Sequence, residues 1–339
     1  MSRYDGLIIP RSYSEYLNKT DSATLSQMLQ HLTGLWSHAV SAGDNKPVTS
    51  DAVYEAFTNL ETMSHNIPRL VPKDITAYIT DGTFWERLNG TNGYALFEDI
   101  YVGDYIHMSR AISAYEKTGT YHTTGSDYVT IADIDGAMGR GDQGNGINYH
   151  HLIMIPGKGF GGTQHFGRAR MNPTDKTTGG YKGSEMYTDT IGAVASSGST
   201  AATASINQQL YAEFGKHLKT TRELISNAIN ETGNGRFGVV NGCSSNYSWE
   251  SVQAILMSEV ECYGATVWSS SGYDTGSACR QLALFAASEE ARNNRSAYYW
   301  LKDVAGIAFF CFASYIGDAN YGSASNAYHY VRPRFILGA

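Results

Sequence analysis

Residues 297–338 read AYYWLKDVAGIAFFCFASYIGDANYGSASNAYHYVRPRFILG, and the rest of the chain is best understood outward from them. Two apolar segments bracket the stretch, Trp300-Leu301-Lys302-Asp303 in front and Val331-Arg332-Pro333-Arg334-Phe335-Ile336-Leu337 behind. Between them, from Val304 to Tyr330, there is no Lys, Arg, Glu, Gln, Met, Trp, Pro or Thr. Tyr, His, Ser, Asn and Gly remain, the composition of adaptable binding surfaces. Tyr supplies rigid amphipathic area and the small polar residues supply adjustable hydrogen bonds. The same composition also suits a Gly/Ser-rich hairpin whose aromatic residues only pack. The candidate ligand-contacting residues are Tyr298, Tyr299, Ile307, Phe309, Phe312, Ser314, Tyr315, Asp318, Asn320, Tyr321, Ser323, Tyr328, His329 and Tyr330. Trp300, Phe310, Val331, Phe335 and Leu337 are expected to face the core, separating folding from binding.

The whole chain has the same turn-rich, aromatic character. Charged residues make up only 17% of 339, against 36 Gly and 24 Tyr, which argues for strands and turns rather than a helical bundle. A net charge of -7 speaks against a general nucleic-acid binder. No apolar run reaches the roughly 20 residues of a membrane-spanning helix. The opening Met1-Ser2-Arg3-Tyr4-Asp5 lacks the apolar core of a secretory leader, so none is expected. Cys243, Cys262, Cys279 and Cys311 have no zinc-ligand spacing. No metal or other cofactor is expected, and buried free thiols are the default.

Residues 1–92 read as a separate, mostly helical module. Thr20-Asp21-Ser22 supplies capping residues, and Leu25, Met28, Leu29 and Leu32 recur at helical spacing. Val53, Phe57 and Leu60 form a second stripe. Such short stripes need a partner, which suggests association, with a trimer preferred. Residues 68–92 carry Asp81-Gly82 and Asn89-Gly90 turn signals and read as a connector, placing a boundary near residue 93.

Further on, Tyr128–Ile134 and His150–Pro156 read as strands, the adjacent histidines facing opposite sides. Gly139–Gly146 reads as a surface loop, lacking the Lys-Ser/Thr of a phosphate loop. A helix is expected from Ser184, another through Leu210, Phe214 and Leu218, and a short strand over Gln281–Phe285. Glu259 and Glu261, read on a strand, would share a face, and paired carboxylates are the equipment of a glycosidase.

Several of these segments resemble a family of phage and bacterial domains with a C-type-lectin-like fold, related in shape to formylglycine-generating enzymes. The resemblance rests on Trp300–Asp303 (with Lys302 where Arg is usual), Val331–Leu337, Gly103-Asp104-Tyr105-Ile106, Met171–Met186 and Ile255–Gly264. It covers the chain from about Phe97 onward. It implies that Glu259 and Glu261 belong to the fold, bonding loop N–H groups or an arginine. The Asn45–Tyr54 segment is similar to sequences near the start of phage fibre subunits. Residues 304–330 also resemble the targets of diversity-generating retroelements, in which adenine-directed mutation of AAC or AAT codons never yields Lys, Glu, Gln, Met or Trp.

Together these readings describe an α+β protein: a helical module over 1–92 and a C-type-lectin-like domain over 93–339. The resemblance implies a non-enzymatic phage adhesin on the virion surface, in a tail or head fibre. Its expected partners are a host cell-surface receptor, glycan or protein, other virion proteins through 1–92, and further copies of itself. A polysaccharide depolymerase using Glu259 and Glu261 is the alternative, and a purely structural capsid or fibre decoration protein is another.

Overall fold

Among the described residues, strands such as His151–Pro156, Tyr299–Gly306 and Pro333–Gly338 are buried along their whole length, because both of their faces are covered. The computed structural model describes residues 64–339 apart from 70, 120, 143, 231–242, 271–279 and 294–296. Helices α1 (Thr76–Thr80) and α2 (Phe84–Asn89) are followed by β1 (Tyr105–His107), β2 (Ser113–Glu116), β3 (Tyr121–Thr124), β4 (Tyr128–Ile134) and β5 (His151–Pro156). A π-helix (Met186–Gly192), α3 (Ile206–Phe214), β6 (Thr221–Ile229), β7 (Ser244–Val252) and β8 (Ala254–Leu256) come next. The chain continues through α4 (Glu259–Tyr263), α5 (Ala283–Ala287), α6 (Glu289–Arg292), β9 (Tyr299–Gly306), β10 (Phe309–Ala313), β11 (Ala319–Ser323) and β12 (Pro333–Gly338). Strand outweighs helix, 30% against 19%, so the chain is mixed with strand dominant.

The central sheet has the order β1-β4-β5-β12-β8, antiparallel throughout. Every residue of β5 and β12 is buried, which explains why they read as continuous apolar runs rather than alternating ones. Phe335 of β12 meets Phe214 of α3 with ring centroids 5.8 Å apart, and Phe166 at 6.5 Å. The expected helix through Leu210 and Phe214 is α3, opened by a Ser205–Gln208 capping box. Leu218 lies beyond its end and bridges to Leu337. A second sheet, β11-β10-β9, carries the Tyr-rich stretch, and β9 is buried along its whole length.

The structure moves several expected elements. The chain divides between Leu60 and Glu61, and every described residue belongs to the second unit. The stretch expected as connector is therefore part of this body: Ile75, Phe84 and Leu88 have no exposed surface, and Asp74 bridges to Tyr105. The stripes at Leu25–Leu32 and Val53–Leu60 lie outside the described residues. Gln281–Phe285 does not form a strand; α5 starts there, its Ala283 N–H held by the Asp133 carboxylate at 3.0 Å. The Gly139–Gly146 loop is not purely surface, since its Arg140 is almost fully buried. The helix expected from Ser184 forms with π geometry from Met186.

Candidate functional site

The apex of the Tyr-rich stretch is a closed turn. Ser314 N–H donates to the Asp318 carbonyl at 2.9 Å, Gly317 N–H to the Ser314 carbonyl at 2.9 Å, and Ile316 N–H to Ser314 Oγ at 3.2 Å. The Ser314 hydroxyl also bonds the Asp318 carboxylate. Gly317 has φ +84°, and an added Cβ would collide with the Asn293 side chain, so only glycine lets the turn sit down on Asn293. This locked backbone holds Tyr315 and Ile316 outward, 47% and 58% exposed. Tyr298 (37%) meets Tyr315 edge to face at 5.5 Å, and Tyr328 is 75% exposed. Asp318 is exposed beside them.

Beneath this tip the rings continue inward. Tyr298 touches Phe312 (5.5 Å) and His329 (5.4 Å), and His329 lies 4.3 Å from Phe312 and 4.2 Å from Trp300. Trp300 is fully buried and donates from Nε1 to the Ala169 carbonyl at 2.9 Å. Gly322 leaves room for this stack, since a Cβ there would lie 3.0 Å from His329 Cε1 and 3.1 Å from Phe312 Cε1. Burial pushes the His329 imidazole down to about 4, so it is neutral near pH 7.

The fourteen candidates therefore do not form one surface. Tyr299, Phe312, Ser314 and His329 are buried, which corrects their assignment as contact residues. Tyr299 points inward because its strand is covered on both faces. Its hydroxyl donates to the Arg292 carbonyl, the Arg332 guanidinium lies 4.9 Å from its ring, and burial raises its pKa. Ile307, Phe309, Asn320, Tyr321, Ser323 and Tyr330 are half-buried. Cys311 pairs with Tyr321, so Phe309, Cys311 and Tyr321 share the face opposite Phe312. There Tyr321 packs on Phe309 (5.5 Å) and Trp268 (5.0 Å), while Trp268 Nε1 donates to the Ala319 carbonyl. Tyr330 lies against His165 at 3.9 Å and under Arg168. Of the fourteen, Tyr298, Tyr315, Asp318 and Tyr328 form the exposed set. Ile316 joins them, and the sequence signal that marks it is an apolar residue directly before the turn glycine.

The core-facing expectation agrees with the structure: Trp300, Phe310, Val331, Phe335 and Leu337 have no exposed surface. Cys243, Cys262 and Cys311 are buried. Among the described residues no cluster of His, Cys, Asp and Glu is arranged to hold a metal ion.

Glu259 and Glu261 lie on α4, not on a strand, and each is fully committed. Glu259 accepts from the N–H groups of Val267 (2.9 Å), Trp268 (3.0 Å) and Ser269 (3.0 Å), and from the Ser269 hydroxyl (2.8 Å). Glu261 closes a capping box with Ser258 and pairs with Arg140 (2.9 Å) and Arg334 (2.6 Å). Glu223 joins the cluster, 2.7 Å from Arg334. Lys302, also buried, donates to the Leu224 carbonyl. Burial alone would raise the Glu261 carboxyl, but Arg334 and Arg140 hold it below the ordinary range. Both carboxylates have no exposed surface, so neither is presented to a polymer.

No family model, curated protein or solved structure matches this chain. The functional reading therefore rests on the geometry of the tip and its support.

Proposed function

We propose that this chain is a virion adhesin, with a C-type-lectin-like domain whose tip binds a host cell-surface ligand without chemistry. The observation that carries the reading is the exposed set Tyr298, Tyr315, Ile316 and Tyr328 on a hydrogen-bonded turn above a fully buried frame. A rigid turn presents large aromatic area with little ordering cost on binding, which favours affinity. The buried β12, from the Val331–Leu337 segment on which the resemblance is most specific, lies inside the main sheet between β5 and β8 and supports the lectin-like reading. The buried partners of Glu259 and Glu261 favour binding over depolymerisation.

In this proposal residues 1–60, the part of the expected 1–92 module that lies outside this body, dock the protein to other virion components and associate it, as a trimer, so that weak single contacts gain avidity of roughly 10²–10⁴. The test pairs host-cell adsorption with thermal unfolding for Tyr315→Ala and Tyr328→Ala. Adsorption should fall while stability stays within about 0.5 kcal/mol of wild type. Unchanged adsorption for both variants would remove the tip from the binding surface.

A further inference from the structure

The Gly/Ala/Ser/Thr-rich run over 192–205 is held as firmly as a secondary element. Asn207, buried, donates from Nδ2 to the Gly192 carbonyl at 2.7 Å and accepts the Ala254 N–H at 2.9 Å. Gln253, also buried, both accepts from Ala195 N–H (2.8 Å) and donates to its carbonyl (3.0 Å). These two amides clamp the run against the π-helix and α3, and a depression of about 360 Å³ opens between them. That volume is at the small end of ligand-sized clefts, which run from roughly 300 to 1,000 Å³. Its wall includes Asp189, from the π-helix, a geometry that recurs at functional sites.

The lining chemistry selects the ligand class. Ser196, Ser197 and Thr203 bring exposed hydroxyls, and Gln208 an exposed amide whose Oε1 accepts Ser205 N–H. The one acidic group is Asp189, and Lys117, which pairs with it at 2.7 Å, neutralises it. The pair leaves no net charge at the wall to select an ion of either sign. A mainly apolar ligand would lose its match to the hydroxyls, since Val194 (40% exposed) is the largest apolar side chain of the wall. Hydroxyls, an amide and a carboxylate beside one small apolar patch fit a ligand with many hydroxyls and a C–H face. We infer that this depression is a binding site for a neutral saccharide, separate from the aromatic tip.

The test uses saturation-transfer NMR on the full chain with maltotriose, cellotriose, mannotriose, galactotriose and chitotriose as probes. Transfer to at least one trisaccharide is expected. Thr203→Trp, which fills the depression from an exposed position, and Asp189→Asn should each raise its Kd about tenfold or more at unchanged melting temperature. Tyr298→Ala with Tyr315→Ala should leave it unchanged. Absence of transfer from all five trisaccharides overturns the inference. Binding that survives both Thr203→Trp and Asp189→Asn also overturns it. Binding abolished only by the tip variants overturns it too, while leaving the adhesin reading in place.

Discussion

Replacing Glu261 by Gln isolates the charge at the centre of the fold. The side chain keeps its shape and its Oε1, which accepts from both Arg140 and Arg334, while the amide nitrogen takes the place of the Oε2 that accepts the Ser258 N–H. What disappears is the negative charge between Arg140 and Arg334, at 2.9 and 2.6 Å, leaving two buried guanidinium groups with Glu223 as the one carboxylate of the cluster. Removing one partner of a buried pair costs about 3–5 kcal/mol; here Glu223 still faces both Arg334 (2.7 Å) and Arg140 (3.4 Å), so the loss comes from two buried cations sharing one carboxylate. Against a typical total of about 5–15 kcal/mol this is a large fraction. For a body of this size the loss corresponds to a melting temperature lowered by roughly 6–20 °C. Urea unfolding followed by far-UV circular dichroism should show the midpoint falling at unchanged slope. The linkage sign gives a second readout. The folded-state pKa of Glu261 is depressed, so its contribution is complete above its ordinary value of 4.5 and is lost as pH falls through the folded value. The Gln variant should lack that part of the acid response. A Glu261→Gln protein within about 0.5 kcal/mol of wild type at pH 7 would refute the argument that this cluster holds the fold together.

Five further outcomes are expected. His329 has a folded pKa of about 4 against an ordinary 6.5, so wild type should lose stability as pH falls from 6.5 toward 4. His329→Phe should reduce that loss by roughly 3 kcal/mol, measured by melting across the range. Asp133, pushed up to about 6 chiefly by burial, acts in the opposite sense, so Asp133→Asn should flatten a gain in stability as pH falls through 6. Gly317→Ala forces a Cβ onto Asn293 at positive φ and should cost about 1–3 kcal/mol, with adsorption falling as the tip is displaced. Trp300→Ala should cost about 3–5 kcal/mol by calorimetry. On light scattering the full chain should form an oligomer and the fragment 61–339 a monomer; a monomeric full chain at micromolar concentration would remove the role assigned to residues 1–60.

Locally encoded features were legible in the sequence. Apolar runs with Pro and β-branched residues marked β5 and β12, whereas the Trp300 and Val331–Leu337 frame is covered on both faces, so that its Lys302, Asp303, Arg332 and Arg334 are buried along with the apolar residues. Ser205 three residues before Gln208, and Ser258 three before Glu261, are capping boxes that need no distant partner, local signals that the strand reading of Glu259 and Glu261 passed over. Other features depended on which segments meet. Composition placed Tyr298 and Tyr299 together, yet one is exposed and the other buried, because β9 begins at Tyr299 and is covered on both faces while Tyr298 lies just before it. Glu261 looked like half of a catalytic pair until Arg140, 121 residues away, and Arg334, 73 residues away, arrived beside it. Gln281–Phe285 has an apolar pattern too short to distinguish strand from helix, and Asp133 settles it by holding the first N–H of α5. The clamp on 192–205 likewise comes from Gln253, on a different strand connection. Periodicity along a chain records that a face will be buried, while the identity of what buries it is set by contacts between distant residues.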